Sequence, residues 1–446
     1  MPTPSLLIVP ARFKTGKLYS QIPTSGAGDF TVTRNTEARR FDSAGLVASV
    51  ASGIPRLDYY TSGGVTGCPA LLVEPAGTNL AFNSQTWAAA NNWGLDGVTT
   101  VTATSGTTAP DGTSTANAIS PTSGNVFHGL YSNSPTQYTY ISGTIYTQSA
   151  FFKAGGTNLP VSGSAGRYVQ LTYTGGGQFT QNGYANFDLQ LGTVAVVSGT
   201  SADTNRAARI ENYGNGWYRC SFTATCNAAG NGVGVLPVLV NASGNTRAQS
   251  FSGTVTDVIY GWGAQLETGS VATSYIPTTT GTGSRSADVI SVSGAVSGSI
   301  GQTEGTLYAE IVAQPYNNAS FPAILQVDDG ADSQRFAIFI HASGGIRVRL
   351  NASGINLGID STNPATLVVG QTYKIAAAFG FNGSQALYIN GVFQVSGSVT
   401  AGPFTAALNR VMLGHRGGIS SPFLIRSAAL YTTRLTNAEL ATLTAP

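Results

Sequence analysis

Charge is what this chain has least of. Asp, Glu, Lys and Arg make up 9% of its 446 residues, against roughly 25% in an ordinary soluble domain. Lys is scarcest, at Lys14, Lys17, Lys153 and Lys374. No basic run and no aromatic-plus-basic alternation occurs, which argues against nucleic-acid binding. Cysteine is also scarce. Cys220 and Cys226 fall on one stretch that reads as a strand, about 20 Å apart at strand rise. A disulfide needs Cα atoms within roughly 7 Å, so these two read as small core residues, and Cys68 stands alone. No apolar run reaches the roughly 18–20 residues of a membrane-spanning helix. The short apolar patch Leu6 to Val9 has no basic residue before it, so a signal peptide is not expected. The three histidines, His128, His341 and His415, are far apart. There is no Gly-x-Ser-x-Gly elbow, phosphate-binding Walker loop or His-Glu-x-x-His pair, and neither heptads nor β-helix repeats are seen.

What is abundant points one way. Glycine numbers 56, and hydrophobic residues make up 42%. A chain with this much apolar material is not disordered; small polar residues beside it suit strands joined by tight turns. A surface this poor in charge favours packing into a larger assembly. The predicted fold class is all-β: an N-terminal arm followed by two β-sandwich (jelly-roll) domains.

The organisation follows from local pattern. Residues 1–76 hold most of the clustered charge (Arg34, Glu37, Arg39, Arg40, Asp42, Arg56, Asp58) and irregular apolar positions. They read as a docking arm or as a cap on the next domain, with a strand between Pro69 and Pro75. Residues 77–278 show regularly spaced short strands, such as Tyr168 to Tyr173 and Trp217 to Thr225, separated by Gly/Asn turns. Residues 279–303 read as linker or edge strand. Residues 304–446 resume period-2 alternation, with a hairpin at Asn390-Gly391. Thr436 and Glu439 have capping-box spacing for a short final helix.

Three segments resemble known families. Gly214-Asn215-Gly216-Trp217-Tyr218-Arg219 and Gly261-Trp262-Gly263-Ala264-Gln265-Leu266-Glu267 resemble the carbohydrate-binding-module-like jelly rolls of bacteriophage tail-fibre and virion structural proteins. Ala38-Arg39-Arg40, Pro55-Arg56-Leu57-Asp58-Tyr59 and Leu72-Val73-Glu74-Pro75 are similar to the leader that precedes such modules. Ala386-Leu387-Tyr388-Ile389-Asn390-Gly391, Arg410-Val411-Met412-Leu413-Gly414 and Ile425 to Tyr431 resemble concanavalin A-like (laminin G-like) lectin domains. The resemblance implies a non-enzymatic virion protein (tail fibre, spike or head appendage) that attaches to host cell-surface glycans. It also implies a homotrimer or other homo-oligomer, contacts with other virion proteins through the N-terminal arm, no membrane insertion, and assembly in the bacterial cytoplasm with release by lysis. Two alternatives stay open: a structural decoration without ligand, and a polysaccharide depolymerase. Against the latter, the Glu-x-Asp-x-x-Glu strand of the concanavalin-like glycanases, whose alternate carboxylates act as nucleophile and acid, is missing.

Sugars stack on aromatic rings and take hydrogen bonds from amides and charged groups. The candidates are therefore Trp87, Asn91, Asn92 and Trp93 in an apparent loop, Tyr316 and Asn317 in another, and His415. Each also has a plainer reading as core or surface. No cofactor is expected, except that Asp328, Asp329 and Asp332 in one turn offer the clustered oxygens that Ca²⁺ takes, or simply form a solvated turn.

Overall fold

The computed structural model describes residues 2–446 apart from 63–64, 103–105, 134–137, 156–165, 174–176, 180–181, 201–204, 317–320, 353–354, 363, 365, 382 and 400–401. It is an all-β molecule of two sandwiches, whose one α-helix among the described residues, Asn437–Leu443, lies near the end.

The first sandwich uses contiguous sequence. One six-stranded sheet runs in the order Trp93–Asp96, Gly129–Ser132, Pro237–Val240, Tyr168–Thr172, Tyr184–Asp188, Thr193–Ser198. The facing one runs Val98–Thr102, Asn117–Pro121, Val258–Thr268, Ile145–Gly155, Trp217–Thr225, Ala207–Asn212. Their inner faces enclose one apolar core that includes Trp87, Trp93, Phe152, Phe187, Cys220 and Cys226, as expected of the two cysteines. Trp262 and Trp217 are also buried, but on the outer side of their sheet, under Phe41, Val47 and Tyr275. The Gly-Trp-Gly wording has a packing cause: a Cβ at Gly261 would lie 2.2 Å from the Trp87 ring. Gly263 takes φ +65°, beside the register shift where this strand pairs with Ile145–Gly155.

The second sandwich is discontinuous, and here the structure departs from the sequence expectation. Residues 1–76 do not form a free arm. Leu6–Ile8 pairs with Phe423–Tyr431, and Ala70–Val73 pairs with both Phe423–Tyr431 and Arg56–Asp58 in the eight-stranded sheet. Phe30–Thr33 and the hairpin Phe13–Lys14/Lys17–Leu18 extend the nine-stranded sheet. The stretch 279–303 is not a linker throughout: Val289–Ser293 is an interior strand, between Phe30–Thr33 and Arg410–Leu413. Local pattern could not show this, because the pairings that tie Leu6–Ile8, Phe30–Thr33 and Ala70–Val73 into the second sandwich span hundreds of residues. The first sandwich is therefore an insertion into the second. Its two connections pair as an antiparallel stem, Gly77–Asn79 with Gly283–Arg285.

A buried ion network locks the stem. Arg56 reaches Glu74 at 2.7 Å and also pairs with Asp288. Arg285 reaches Glu74 at 3.0 Å, and Arg34 reaches Asp288 at 3.0 Å. Burial would raise the Glu74 carboxyl, but Arg285, Arg56 and the Ser274 hydroxyl hold it down at about 2. Groups this deep are tolerated only because they are paired and hydrogen-bonded.

The local expectations for the C-terminal part hold. Asn390 and Gly391 both take positive φ in the hairpin between Ser384–Ile389 and Val392–Ser398. Thr436 and Glu439 form the reciprocal capping box.

Candidate functional site: an arginine-lined sheet face

Alternation builds this site. In Ile346–Ala352 the residues Ile346, Val348 and Leu350 point into the core, so Arg347, Arg349 and Asn351 take the opposite face. In the neighbouring strand Arg335–Ile340, Phe336 and Ile338 point inward while Arg335, Ala337 and Phe339 share the outer face. Register then sets rows across the nine-stranded sheet. One row runs Arg410, Asp328, Arg335, Asn351; the next runs Met412, Gln326, Ala337, Arg349, Gly358.

The acidic turn expected to offer Ca²⁺ ligands belongs to this face, and its carboxylates are already engaged. Asp328 is fully buried and accepts both arms of Arg410, at 2.8 and 3.0 Å. It also accepts from Gln326 Nε2 at 2.6 Å and from the Gly330 N–H at 2.8 Å. Asp332 pairs with Arg335 and Arg416, each at 3.1 Å. Asp329 closes its own turn, accepting from the Ser333 hydroxyl and from the N–H groups of Ala331, Ser333 and Gln334. Burial opposes its charge, but these donors hold the carboxyl below its ordinary value. The three aspartates thus serve guanidiniums and a turn rather than an oxygen cage, and no group of three metal-ligating side chains occurs among the described residues.

Two aromatic rings sit among the cations. Arg335 and Arg416 lie 6.0 and 5.6 Å from the centre of the Phe339 ring, and Arg347 lies 5.5 Å from that of Phe321. Arg347 also forks onto Asp360 at 2.5 and 2.6 Å. Arg349 differs from the other four arginines in having no ion-pair partner among the described residues; its Nε, like that of Arg335, has no hydrogen bond. Burial, together with the like charges of Arg347 and Arg416, lowers its affinity for its proton. It stays charged all the same, as arginine does in proteins.

The remaining sequence candidates scatter. Trp87 and Trp93 are 0% and 2% exposed and stack on each other at 4.9 Å. Their indole N–H groups donate to the carbonyls of Ser84 and Asn83. These rings therefore fill the core of the first sandwich and leave no face for a sugar; the apparent loop is a tight turn folded inward. Asn91 and Asn92 end the one-turn helix between them, Asn92 with φ +62°. Tyr316 packs against the second core, and Asn317 lies outside the described residues. His415 is 9% exposed on the short strand beside the Asp328–Arg410 pair. Burial, and then Arg410, push its imidazole below the ordinary value, and its Nδ1 has no partner. The Arg347-x-Arg349 alternation was readable in sequence; its alignment with Arg335, Arg410 and Arg416 needed the strand order.

A concavity of about 420 Å³ lies elsewhere, where the N-terminal strands and both sandwiches meet, lined by Phe41, Asp58, Tyr60, Arg209, Tyr213 and Arg219 among others. Tyr213 meets Phe41 and Phe151 edge-on at 4.3 and 4.9 Å. Asp58 accepts from the Phe41 N–H at 2.9 Å, and burial pushes its carboxyl up to about 7.

Among solved structures, the carbohydrate-binding module CBM40 of the Ruminococcus gnavus IT-sialidase, bound to α2,3-sialyllactose, is 22% identical (TM-score 0.29), covering 33% of this chain and 84% of that one. Domain 4 of a Geobacillus stearothermophilus extracellular arabinanase, in complex with arabinotriose, is 20% identical (TM-score 0.28), covering 35% and 73%. A pentraxin from Limulus polyphemus is 17% identical (TM-score 0.26), covering 32% and 70%. No curated protein matches the chain. Residues 289–441, the larger part of the second sandwich, match the family model described as the concanavalin A-like lectin/glucanases superfamily.

Proposed function

We propose that this chain is a non-enzymatic bacteriophage virion protein, a tail fibre, spike or head appendage, that attaches to host cell-surface glycans. The arginine-lined face of the second sandwich is its contact surface. The observation that carries this reading is the match of residues 289–441 to a lectin/glucanase family model, in a domain whose outer sheet face sets guanidiniums beside aromatic rings. That combination can hold a sugar by ring contact and hydrogen bonds. On this face Asp328 and Asp332 are engaged by arginines, which supports binding over hydrolysis. Docking onto other virion proteins falls to the exposed hairpin Phe13–Lys14/Lys17–Leu18, at the free edge of the nine-stranded sheet, where Phe13 is 41% exposed. Homo-oligomerisation, as a trimer, belongs to the same proposal.

The test is glycan-array binding by the full chain, followed by competition of phage adsorption with the purified protein. Selective glycan binding and blocked adsorption are the expected results. Binding to no glycan, with adsorption untouched, would leave the decoration reading. New reducing ends after incubation with host capsule would replace this proposal with a depolymerase, and the cleft at Asp58, whose carboxyl burial raises to about 7, would then be the first place to look.

A further inference from the structure

We infer that the arginine-lined face takes acidic saccharides, and that Arg349 is the residue that selects them by its contact with the ligand's carboxylate or sulfate. This rests on the glycan-binding reading above and narrows it to a ligand class. Five guanidiniums (Arg335, Arg347, Arg349, Arg410 and Arg416) share the face with three carboxylates, Asp328, Asp332 and Asp360. Four of the five are paired: Arg410 with Asp328, Arg335 and Arg416 with Asp332, Arg347 with Asp360. Among the described residues Arg349 forms no ion pair, and the charge of Asp360 offsets its own only in part; a planar guanidinium without a carboxylate partner is the form that recognises a carboxylate or sulfate through two parallel N–H bonds.

The strand positions on either side of it are small. Arg349 lies across from Ala337 on one strand and Gly358 on the other, so the two neighbours of its backbone in the sheet are small. A Cβ placed on Gly358 would meet nothing closer than Arg347 Nε at 3.8 Å. The paired arginines are fixed by their aspartates and by Phe339 and Phe321, which keeps the rim from collapsing onto Arg349. Nucleic acid is the other polyanion such a patch could meet. The excess is only two charges on this face, and the whole chain carries 22 basic against 20 acidic residues, too little for the many phosphate contacts that duplex binding needs.

The experiment is binding of the full chain to an array that pairs uronate, sialylated and sulfated glycans with their neutral counterparts, with duplex DNA as a further probe at the same salt. Binding confined to the acidic glycans, falling as salt rises, is the expected result. Arg349→Gln should weaken it by about tenfold or more, with Arg349→Lys between the two. Lys153→Ala, which removes one positive charge from the first sandwich, should leave it unchanged. Gly358→Phe sets a bulky ring beside Arg349 without altering charge and should also abolish binding, an independent check should Arg349→Gln lower the unfolding midpoint. Binding to neutral glycans that Arg349→Gln does not affect would overturn this inference while sparing the glycan-binding reading. Binding to no glycan would overturn both, and DNA bound as tightly as the acidic glycans would overturn the ligand class.

Discussion

The two sandwiches have the same architecture and opposite topologies. The first takes both its sheets from residues 93–268, so each strand meets partners from its own stretch of chain. The second closes only when residues 6–73 and 289–431 come together across the whole of the first. Pairing within one continuous stretch closes shorter loops than pairing across an inserted domain, and the longer closures cost more entropy and form more slowly. The lesson is that the segment most like a detachable arm is woven into the domain farthest from it in sequence.

Truncation should separate the two most sharply. A chain lacking residues 1–73 is expected to lose the second sandwich outright, because Ala70–Val73, Leu6–Ile8 and Phe30–Thr33 each leave a sheet edge and part of a core open. An excised fragment 77–285 should still unfold as one cooperative unit. Circular dichroism and limited proteolysis would show it, and a folded fragment 289–446 would break the comparison. For the same reason, deleting residues 304–446 removes strands from a domain that begins near residue 6.

The stem network comes next. Glu74→Gln leaves Arg56 and Arg285 short of a charge partner at nearly zero exposure and should cost about 3–5 kcal/mol, the usual penalty for breaking one side of a buried pair. Chemical denaturation monitored separately in each sandwich would show whether the loss falls on the second. The parent chain should lose this contribution as pH falls from 4.5 towards 2, because the folded-state carboxyl is held at about 2, and the variant should lack that acid step.

Asp58 predicts the opposite sign. Its carboxyl is raised from 3.8 to about 7, mainly by burial, so the folded state holds a proton that the unfolded state has given up. Its contribution is full below pH 3.8 and is lost as pH rises through about 7. Asp58→Asn should therefore flatten the fall in unfolding midpoint between pH 4 and 8. An unchanged slope would show that Asp58 ionises freely. The smallest effect belongs to the final helix: Thr436→Ala removes a reciprocal cap and should cost about 1 kcal/mol by thermal melt.

Much of the local structure was legible. Tyr168–Thr172 and Trp217–Thr225 fall where strand spacing and turn residues put them, and the Asn-Gly hairpin and the capping box form as their residues dictate. The candidate site was far less legible. Tryptophans beside asparagines read as a loop, yet Trp87 and Trp93 are core, because burying two such rings outweighs any gain from exposing them. The aspartates looked like metal ligands because their arginine partners lie up to 84 residues away.

By itself, then, the sequence determined that this protein is built of strands, where many of them run, and that its surface carries little charge; these follow from period-2 patterning and turn chemistry, which act over a few residues. The tertiary structure decided that the N-terminal segment belongs to the second sandwich, that the first is inserted into it, and that Arg349, of five clustered arginines, has no ion-pair partner among the described residues. Each of those depends on strand order and register between distant segments, which no local pattern encodes.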